Sequence, residues 1–390
     1  MHLLKLILRN TLRHKLRSSL TVVGIAVAVL AFGLLRTIVD AWYAGVAASA
    51  QNRLVTRNAV SLVFPLPLAY RNPIAQVSGV TGISYGNWFG AIYIDEKNFF
   101  AQFAVDPPTY FDLYPEIRLS DAEREVFYHD RKGCVVGRKL AEKYRWKVGD
   151  MIRLKGTIYP GDWDFVIRGI YRGGEPSTDE TLMFFHWSRL NEEIRKAWGN
   201  AVSDRVGWYV LRIARPEDAG PISEQIDAMY KNSLAETRTE TERAFQMGFV
   251  SMAGTIIVAL QVISAVVLVI ILLVLANTMA MAARERLSEY GVLKTLGFRP
   301  GHLVRLIAGE SLVIAGMGAA LGVALTIPVC NGFAKFVAEN LGSFFPVFQL
   351  SPETVYIAVG ASLLVGLLSA LFPCVRAVNI RIVDAIRRVD

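Results

Sequence analysis

Two carboxylates, Glu285 and Glu289, stand four residues apart and are the first candidates for chemistry in this sequence. In a helix this spacing places both side chains on one face, where paired carboxylates can act as general acid and general base. No histidine, cysteine or set of metal ligands is adjacent to them in the sequence, and an active site needs such partners. The spacing therefore indicates a charged surface for docking a partner, and we predict no catalytic residue.

The remaining reactive side chains show no spacing typical of a metal site or a redox motif. They are His2, His14, His129, His186, His302, Cys134, Cys330 and Cys374. Three glycines, Gly316, Gly318 and Gly322, resemble an incomplete dinucleotide-binding loop. They lie inside an apolar segment with no preceding strand, which favours close packing of helices. We predict no metal site in this chain.

One acid and one aromatic group have both a functional and a structural interpretation. Glu310 interrupts an apolar segment five residues after Arg305, so it could couple protons or form a structural ion pair, and we favour the pair. The aromatic group could line a path for a hydrophobic substrate, but it is more typical of a sheet core. Its members are Trp88, Phe89, Tyr93, Phe99, Phe100 and Phe103.

The elements that position these residues are those of a membrane protein. Apolar residues make up 53% of the 390 and charged residues only 19%, and the mean hydropathy is +0.35. Soluble domains have about 25% charged residues. Four apolar segments are each long enough to cross a bilayer, which takes about 20 residues. We predict membrane-spanning helices at 18–40, within 244–283, at 303–334 and at 354–376.

Two of these segments allow an alternative. The first could be a signal peptide cleaved near Ala48-Ser49-Ala50, but Arg36 and Asp40 would make its cleavage region unusually charged. The second lies in a stretch without one charge between Arg243 and Arg284, and as a helix it is about twice as long as the hydrocarbon layer is thick. A helical hairpin would need a turn that the sequence lacks. We therefore predict one long helix over 244–283, part of which protrudes from the membrane.

The charge distribution predicts the orientation. The chain has 42 Lys and Arg against 34 Asp and Glu, a net charge of +8, but the stretch 41–243 is balanced. The excess lies in 1–17, in 284–300 and in the tail 377–390, whereas the loop 335–353 has more acids than bases. The basic loops therefore face the cytoplasm and 41–243 lies outside, which excludes a nucleic-acid partner. The expected location is the bacterial inner membrane, with both termini cytoplasmic.

The soluble insert and the N-terminus complete the predicted fold class. Short strand patterns alternate with helical spacing in 41–243, so we predict a membrane α-helical protein with four transmembrane helices and a large mixed α/β extracytoplasmic domain between the first and second. In 1–17 leucines repeat every four residues beside a basic stripe, which indicates an amphipathic helix on anionic lipid, although a simple basic flank is the alternative. The stripe consists of Lys5, Arg9, Arg13 and Arg17.

Several motifs together carry a resemblance to a family. Asn277-Thr278-Met279, Glu285-Arg286 and the run from Glu289 to Gly297 resemble the signature of FtsX-domain permeases, the MacB/LolC/LolE-type membrane subunits of ABC transporters (type VII, mechanotransmission). The ending 372–387 and the start 13–24 are similar to those of the family, and 135–150 is similar to its periplasmic core domain. The resemblance implies that 284–296 is the coupling helix that contacts an ATPase. Its predicted interface residues are Arg284, Glu285, Arg286, Glu289, Tyr290, Gly291, Lys294, Leu296 and Gly297.

The resemblance also implies partners and a mechanism. It implies a dimer, with a second permease copy or a paired homologue, bound to two copies of an ATPase that hold ATP and Mg. No Gly-Lys dipeptide occurs in the sequence, so the phosphate-binding loop of an ATPase is not present. We therefore expect a chain that begins at the membrane, has no cofactor of its own and is not an enzyme. ATP-driven closing of the long second helices would move the outer domains and export or extract an amphipathic substrate. A periplasmic adaptor and an outer-membrane channel are optional further partners. The alternative is a signalling subunit that activates a periplasmic hydrolase or sensor; the large insert favours transport.

Overall fold

The computed structural model describes residues 7, 13, 15–96, 98–175, 178–340 and 348–379. The chain forms two compact units. The membrane unit comprises Met1–Asp40, Gly254–Lys335 and Phe348–Asp390, and the insert unit comprises Ala41–Ala253 and Phe336–Val347. Much of the predicted amphipathic segment, including Lys5 and Arg9, and residues 380–390 of the tail lie outside the described residues.

The helices are numbered in chain order. They are α1 (Lys15–Ala48), α2 (Arg71–Ala75), α3 (Pro107–Leu113), α4 (Asp121–His129), α5 (Arg138–Tyr144), α6 (Trp187–Trp198), α7 (Ala219–Met229), α8 (Glu242–Met252), α9 (Gly254–Glu285), α10 (Leu287–Thr295), α11 (Pro300–Asn340) and α12 (Pro352–Asn379). Among the described residues, α1, α9, α11 and α12 are long and apolar enough to cross a membrane. The predicted fold class, four spanning helices with a mixed domain between the first and second, is confirmed.

The insert unit is built on one mixed sheet. Its strands are β1 (Arg53–Asn58), β2 (Leu66–Pro67), β3 (Val80–Trp88), β4 (Ala91–Ile92), β5 (Gln102–Val105), β6 (Ile117–Arg118), β7 (Gly133–Gly137), β8 (Met151–Gly156), β9 (Gly161–Gly173), β10 (Met183–His186), β11 (Arg205–Val206), β12 (Trp208–Ile213) and β13 (Thr237–Thr241). The order of the large sheet is β13-β1-β12-β3-β5-β10-β7-β9-β8-β4, with β6 paired to β9 beside this path, and β2 and β11 form a separate two-stranded sheet. Pairs β5–β10 and β7–β9 are parallel, and the other pairs along this order are antiparallel.

The aromatic group lies mostly in the core of this sheet. Phe89 and Phe100 are fully buried, and Phe89 packs edge to face against Trp163 and Phe185 with ring centroids 5.0 Å apart. Such edge-to-face pairs stabilise a core beyond the area they bury. Trp88 differs, because it is the last residue of β3 and 39% of it is exposed. The core interpretation is confirmed for Phe89 and Phe100.

The prediction of one uninterrupted helix over 244–283 is wrong. The structure divides this stretch into α8 and α9 at Ala253, whose N–H donates to the carbonyl of Val250, three residues back, at 3.1 Å. Gly254 follows directly, and Ser251 donates its hydroxyl to the Gly248 carbonyl at 2.7 Å. Glycine residues, and a serine that bonds to a carbonyl of its own helix, make a break in a helix easier. The absence of Pro and of charged residues was therefore not sufficient to predict an unbroken helix.

The other predicted boundaries shift as well. The predicted coupling helix within 284–300 is broken at Arg286, because α9 continues to Glu285 and α10 begins at Leu287. Helix α11 extends to Asn340, so the first part of the predicted loop 335–353 is helical. Helix α12 covers 352–379, and the tail 377–390 therefore begins inside a helix.

Glycines allow close contact between α1 and α11. A Cβ atom at Gly318 would lie 2.6 Å from Ile25 Cβ, and one at Gly322 would lie 2.6 Å from Val29 Cβ. A Cβ at Gly316 would meet nothing within 4 Å. The predicted role of these glycines, helix packing, is confirmed for Gly318 and Gly322.

We expect Gly322→Val to destabilise the membrane unit by about 1–3 kcal/mol, because a side chain at this site must displace Val29 and the Ala26 carbonyl. Gly316→Val is the matched control, since it makes the same change in helix propensity at an open site. Unfolding in detergent micelles measures both variants. Equal losses of stability at the two positions would contradict the packing interpretation.

Candidate coupling site

The segment between the second and third spanning helices is the candidate site. Helix α10 ends at Thr295, and Gly297 follows with φ +86°, a left-handed conformation that glycine adopts without strain. Phe298 N–H donates to the Leu293 carbonyl at 3.0 Å and Gly297 N–H donates to the Lys294 carbonyl at 3.1 Å. These bonds close the helix end in the manner of a glycine C-cap. The chain then turns into α11.

Arg286 turns inward at the break between α9 and α10. Its Nη1 donates to Glu310 Oε1 at 2.6 Å, and both side chains are buried. Burial alone would lower the pKa of the Arg286 guanidinium, but the charge and hydrogen bond of Glu310 raise it above its usual value. The prediction that Glu310 forms an ion pair is confirmed, and its partner is a residue that we expected in the docking interface.

Three of the predicted interface residues are covered by the membrane unit. Arg286, Tyr290 and Gly291 are buried, and burial raises the pKa of the Tyr290 hydroxyl well above its usual value. Lys294 donates from Nζ to the carbonyl of Val378 in α12 at 2.8 Å. In this structure the side chains of Arg286 and Tyr290 therefore face the core of the membrane unit.

The outward surface is apolar at its centre. Val292 on α10 is 52% exposed, and Leu296, four residues later at the C-cap of that helix, is 70% exposed. Phe298, beyond the glycine, is 41% exposed. Leu296 is among the predicted interface residues, whereas Val292 and Phe298 are not. The four-residue spacing of Val292 and Leu296 is a helical signal that could have found the first of them. We call Val292, Leu296 and Phe298 the apolar docking face, after the role that is proposed for them below.

Charged residues of the predicted basic stripe, in 1–17, contact charged residues of the predicted coupling segment, 284–296. Arg17 donates to both oxygens of Glu285 at 2.6 and 2.7 Å, and Arg13 donates to Glu289 Oε1 at 2.7 Å. The predicted basic stripe and the predicted coupling segment therefore form exposed ion pairs, which the sequence did not suggest. Exposed pairs of this kind stabilise a structure by about 1 kcal/mol or less. Arg284 is exposed at the end of α9.

Comparison with known proteins identifies the family. A family model described as FtsX-like permease C-terminal matches residues 261–382, which include the apolar docking face. A model described as MacB-like periplasmic core domain matches residues 18–229, more than half of the chain. The chain belongs to the MacB-like ABC transporter permeases. The resemblance noted in the sequence is thereby confirmed.

Individual relatives support this assignment. The permease is 25% identical over 325 residues to an uncharacterized ABC transporter permease of Methanocaldococcus jannaschii, covering 80% of this chain and 77% of that protein. It is 33% identical over 134 residues to the macrolide export ATP-binding/permease protein MacB of Chromobacterium violaceum, covering 33% of this chain but only 20% of MacB. The match thus spans about one fifth of that longer protein.

Solved structures match as well. One of them is the extracellular domain of the noncanonic ABC-type transporter YknZ from Gram-positive bacteria, with 12% identity and a TM-score of 0.35. The match covers 49% of the permease and all of that domain. The family models, and not this likeness, carry the assignment. Permeases of the MacB and FtsX type work with ABC ATPases.

Proposed function

We propose that this permease couples a separate ATPase to movement of its insert unit, and that the ATPase binds the apolar docking face. The observation that carries the proposal is the exposure of Val292 on the short helix α10, and of Leu296 and Phe298 at its C-terminal end, between two spanning helices. Exposed apolar residues framed by charged ones are typical of a protein interface. Arg284, Glu285 and Glu289 supply the charged frame.

The rigid anchorage of α10 supports a role in transmitting force. The buried Arg286–Glu310 pair ties the start of α10 to α11, and Lys294 ties its end to α12. A partner that moves α10 therefore acts on two spanning helices at once. This arrangement is more typical of a coupling element than of a passive loop, because it allows little movement of the docking face relative to the membrane helices.

We further propose the assembly that this coupling needs. ATP and Mg are held by two copies of the ATPase, and the permease acts with a second permease copy. Only 17% of the most apolar part of α9 is buried within the chain, so this helix has a large surface for lipid or for that second copy. The termini and 284–300 lie in the cytoplasm of an inner membrane, and movement of the insert unit exports or extracts an amphipathic substrate outside.

The orientation can be tested by thiol labelling. We expect Leu234→Cys, in the insert unit, to react with an impermeant maleimide in intact spheroplasts and Leu296→Cys to react only after the membrane is opened. Both leucines are highly exposed, and the native Cys134, Cys330 and Cys374 are buried, so background labelling is low. Labelling of Leu296→Cys, with protection of Leu234→Cys, would invert the proposed orientation.

The function itself is tested by ATP turnover. The tagged permease, purified from its own host in nanodiscs, should bring an ABC ATPase and hydrolyse ATP, whereas the same chain produced in a host without that partner should not. Mass spectrometry of the co-purified proteins separates the outcomes. An ATPase with a periplasmic adaptor supports export, an ATPase with an extracytoplasmic hydrolase favours signalling instead, and the absence of any ATPase contradicts the proposal.

A further inference from the structure

A buried ion cluster lies in the insert unit and is outside the site described above. Arg53 of β1 is only 4% exposed. Its Nε donates to Glu242 Oε2 at 2.8 Å, and its Nη atoms donate to the two oxygens of Glu116 at 2.6 and 3.1 Å. Nη1 also donates to the Leu113 carbonyl, at the end of α3, at 2.9 Å. One guanidinium therefore joins β1, α3 and the first residue of α8.

Glu242 makes the second half of the cluster. Its Oε2 accepts from the backbone N–H of Ala50 at 3.0 Å, and its Oε1 accepts from the Tyr114 hydroxyl at 3.1 Å. The Arg53 guanidinium lies 4.2 Å from the centre of the Tyr114 ring. Glu242 is itself buried. Both oxygens of this carboxylate thus have hydrogen-bond donors, as a buried charge requires.

The position of Glu242 in the chain gives these contacts their meaning. It is the first residue of α8, where the chain leaves β13 on its way to the second spanning helix. Ala50 lies two residues beyond the end of α1, where the chain enters the insert unit from the first spanning helix. One carboxylate therefore holds together the entering and leaving segments and fixes both to the sheet through Arg53.

A second ion pair, between β1 and β13, provides a contrast. Arg57 Nε of β1 donates to Glu240 Oε1 of β13 at 2.9 Å, with both side chains mostly buried. It joins one strand to its neighbour, which the backbone pairing of Arg57 with Arg238 and of Val55 with Glu240 already does. Glu242 follows Thr241, which already pairs with Leu54 of β1, but its bonds to Ala50 and Tyr114 reach segments that no strand pairing joins to β13.

Backbone alone would not fix the direction of α8. The connection from β13 to α8 passes through Thr241, whose side chain caps the helix by accepting from Ala244 N–H at 3.1 Å. Such a junction can turn about its backbone dihedral angles, and the cap bond stays inside the helix. Buried ion pairs add little net stability, and in some proteins their role is to specify one arrangement.

We propose that the Arg53–Glu242 cluster is the joint through which α8 moves the sheet of the insert unit, with Glu242 and Arg53 as positioning residues. The proposal rests on the proposed function, because it assumes that ATP drives a displacement of the helices that enter and leave the insert unit. A displacement of α8 then reaches the sheet with its direction preserved. Without the joint, α8 rotates about its backbone connection to β13 and the sheet does not move with it.

Pulsed electron spin resonance on the full chain with its co-purified ATPase in nanodiscs tests this proposal. Spin labels at Leu234→Cys and Tyr356→Cys, both exposed, report the distance between the insert unit and the membrane unit. In the otherwise unchanged chain we expect ATP, Mg and vanadate to shift the distance distribution. In the Glu242→Ala variant we expect an ATP turnover within twofold of that of the unchanged chain. The ATP-dependent shift of its distance distribution should be less than half of the shift in the unchanged chain.

Glu240→Ala is the matched control, and its shift should equal that of the unchanged chain. Glu242→Gln keeps the shape of the side chain without its charge; it should give an intermediate shift, and it decides the matter if Glu242→Ala does not fold. A full shift in the folded Glu242 variants overturns the joint while leaving the proposed function standing. No ATP-dependent shift in the unchanged chain would instead overturn the proposed function.

Discussion

Replacing Arg286 with methionine is expected to lower the free energy of unfolding of the membrane unit by about 3–5 kcal/mol. The change removes the positive charge that lies 2.6 Å from the buried Glu310 carboxylate. A buried carboxylate that loses its cation pays most of its desolvation cost without compensation. Denaturant unfolding in mixed micelles measures the effect.

Two further variants make the expectation specific. Arg286→Met combined with Glu310→Leu should recover most of the loss, because an apolar pair of similar volume can replace a buried ion pair. Arg284→Met, two residues away and exposed, should change the unfolding free energy by no more than about 0.5 kcal/mol. If the single variant cost as little as Arg284→Met, the pair would have no structural role.

Replacing Val292 and Leu296 together with glutamate is expected to reduce co-purification of the ATPase at least tenfold. Two charges would then stand at the centre of the apolar docking face, and the interface would have to desolvate them. Both side chains are already exposed in the permease, so its own stability should change little. Quantitative mass spectrometry of the tagged permease gives the ratio of ATPase to permease.

The matched control for this variant is Leu234→Glu. It makes the same exchange at a highly exposed leucine of the insert unit and should leave the ratio unchanged. Thermal unfolding of all three chains checks that they remain folded. An unchanged ratio in the folded Val292/Leu296 variant would show that the ATPase does not need this face.

The sequence was sufficient for features that depend on local pattern. Uncharged length predicted the four spanning helices, and the spacing of small residues predicted the contacts of Gly318 and Gly322. An acid inside an apolar segment must find a cation, so the pairing of Glu310 was predictable. These signals act along one helix, and tertiary structure does not reverse them.

Features that depend on distant residues were not predictable. Which face of α10 is covered depends on Glu310, so Arg286 and Tyr290 looked like interface residues although they are buried. The partners of Glu285 and Glu289 stand more than 250 residues earlier in the chain. The break at Ala253 depends on small preferences of glycine and serine, which a search for proline and charge did not detect.

The insert unit shows the same division. Individual strands can be predicted from alternating patterns, but their order in the sheet cannot. That order places β5 beside β10 and β7 beside β9 as parallel pairs. The buried contacts of Glu242 were not predicted for a related reason. It stands in a charged run before the uncharged stretch, and its burial becomes visible only when Ala50, Arg53 and Tyr114 are brought around it.

The central claim is that an ATPase docks on the apolar docking face, and photo-crosslinking tests it most directly. A benzophenone amino acid at position 296 of the tagged full chain, irradiated in the membranes of its own host, should capture an ABC ATPase. The same group at position 234 should not. Capture of the ATPase from position 296 alone is the predicted result; capture only of lipid or of unrelated proteins from that position, while the ATPase co-purifies, would contradict the account.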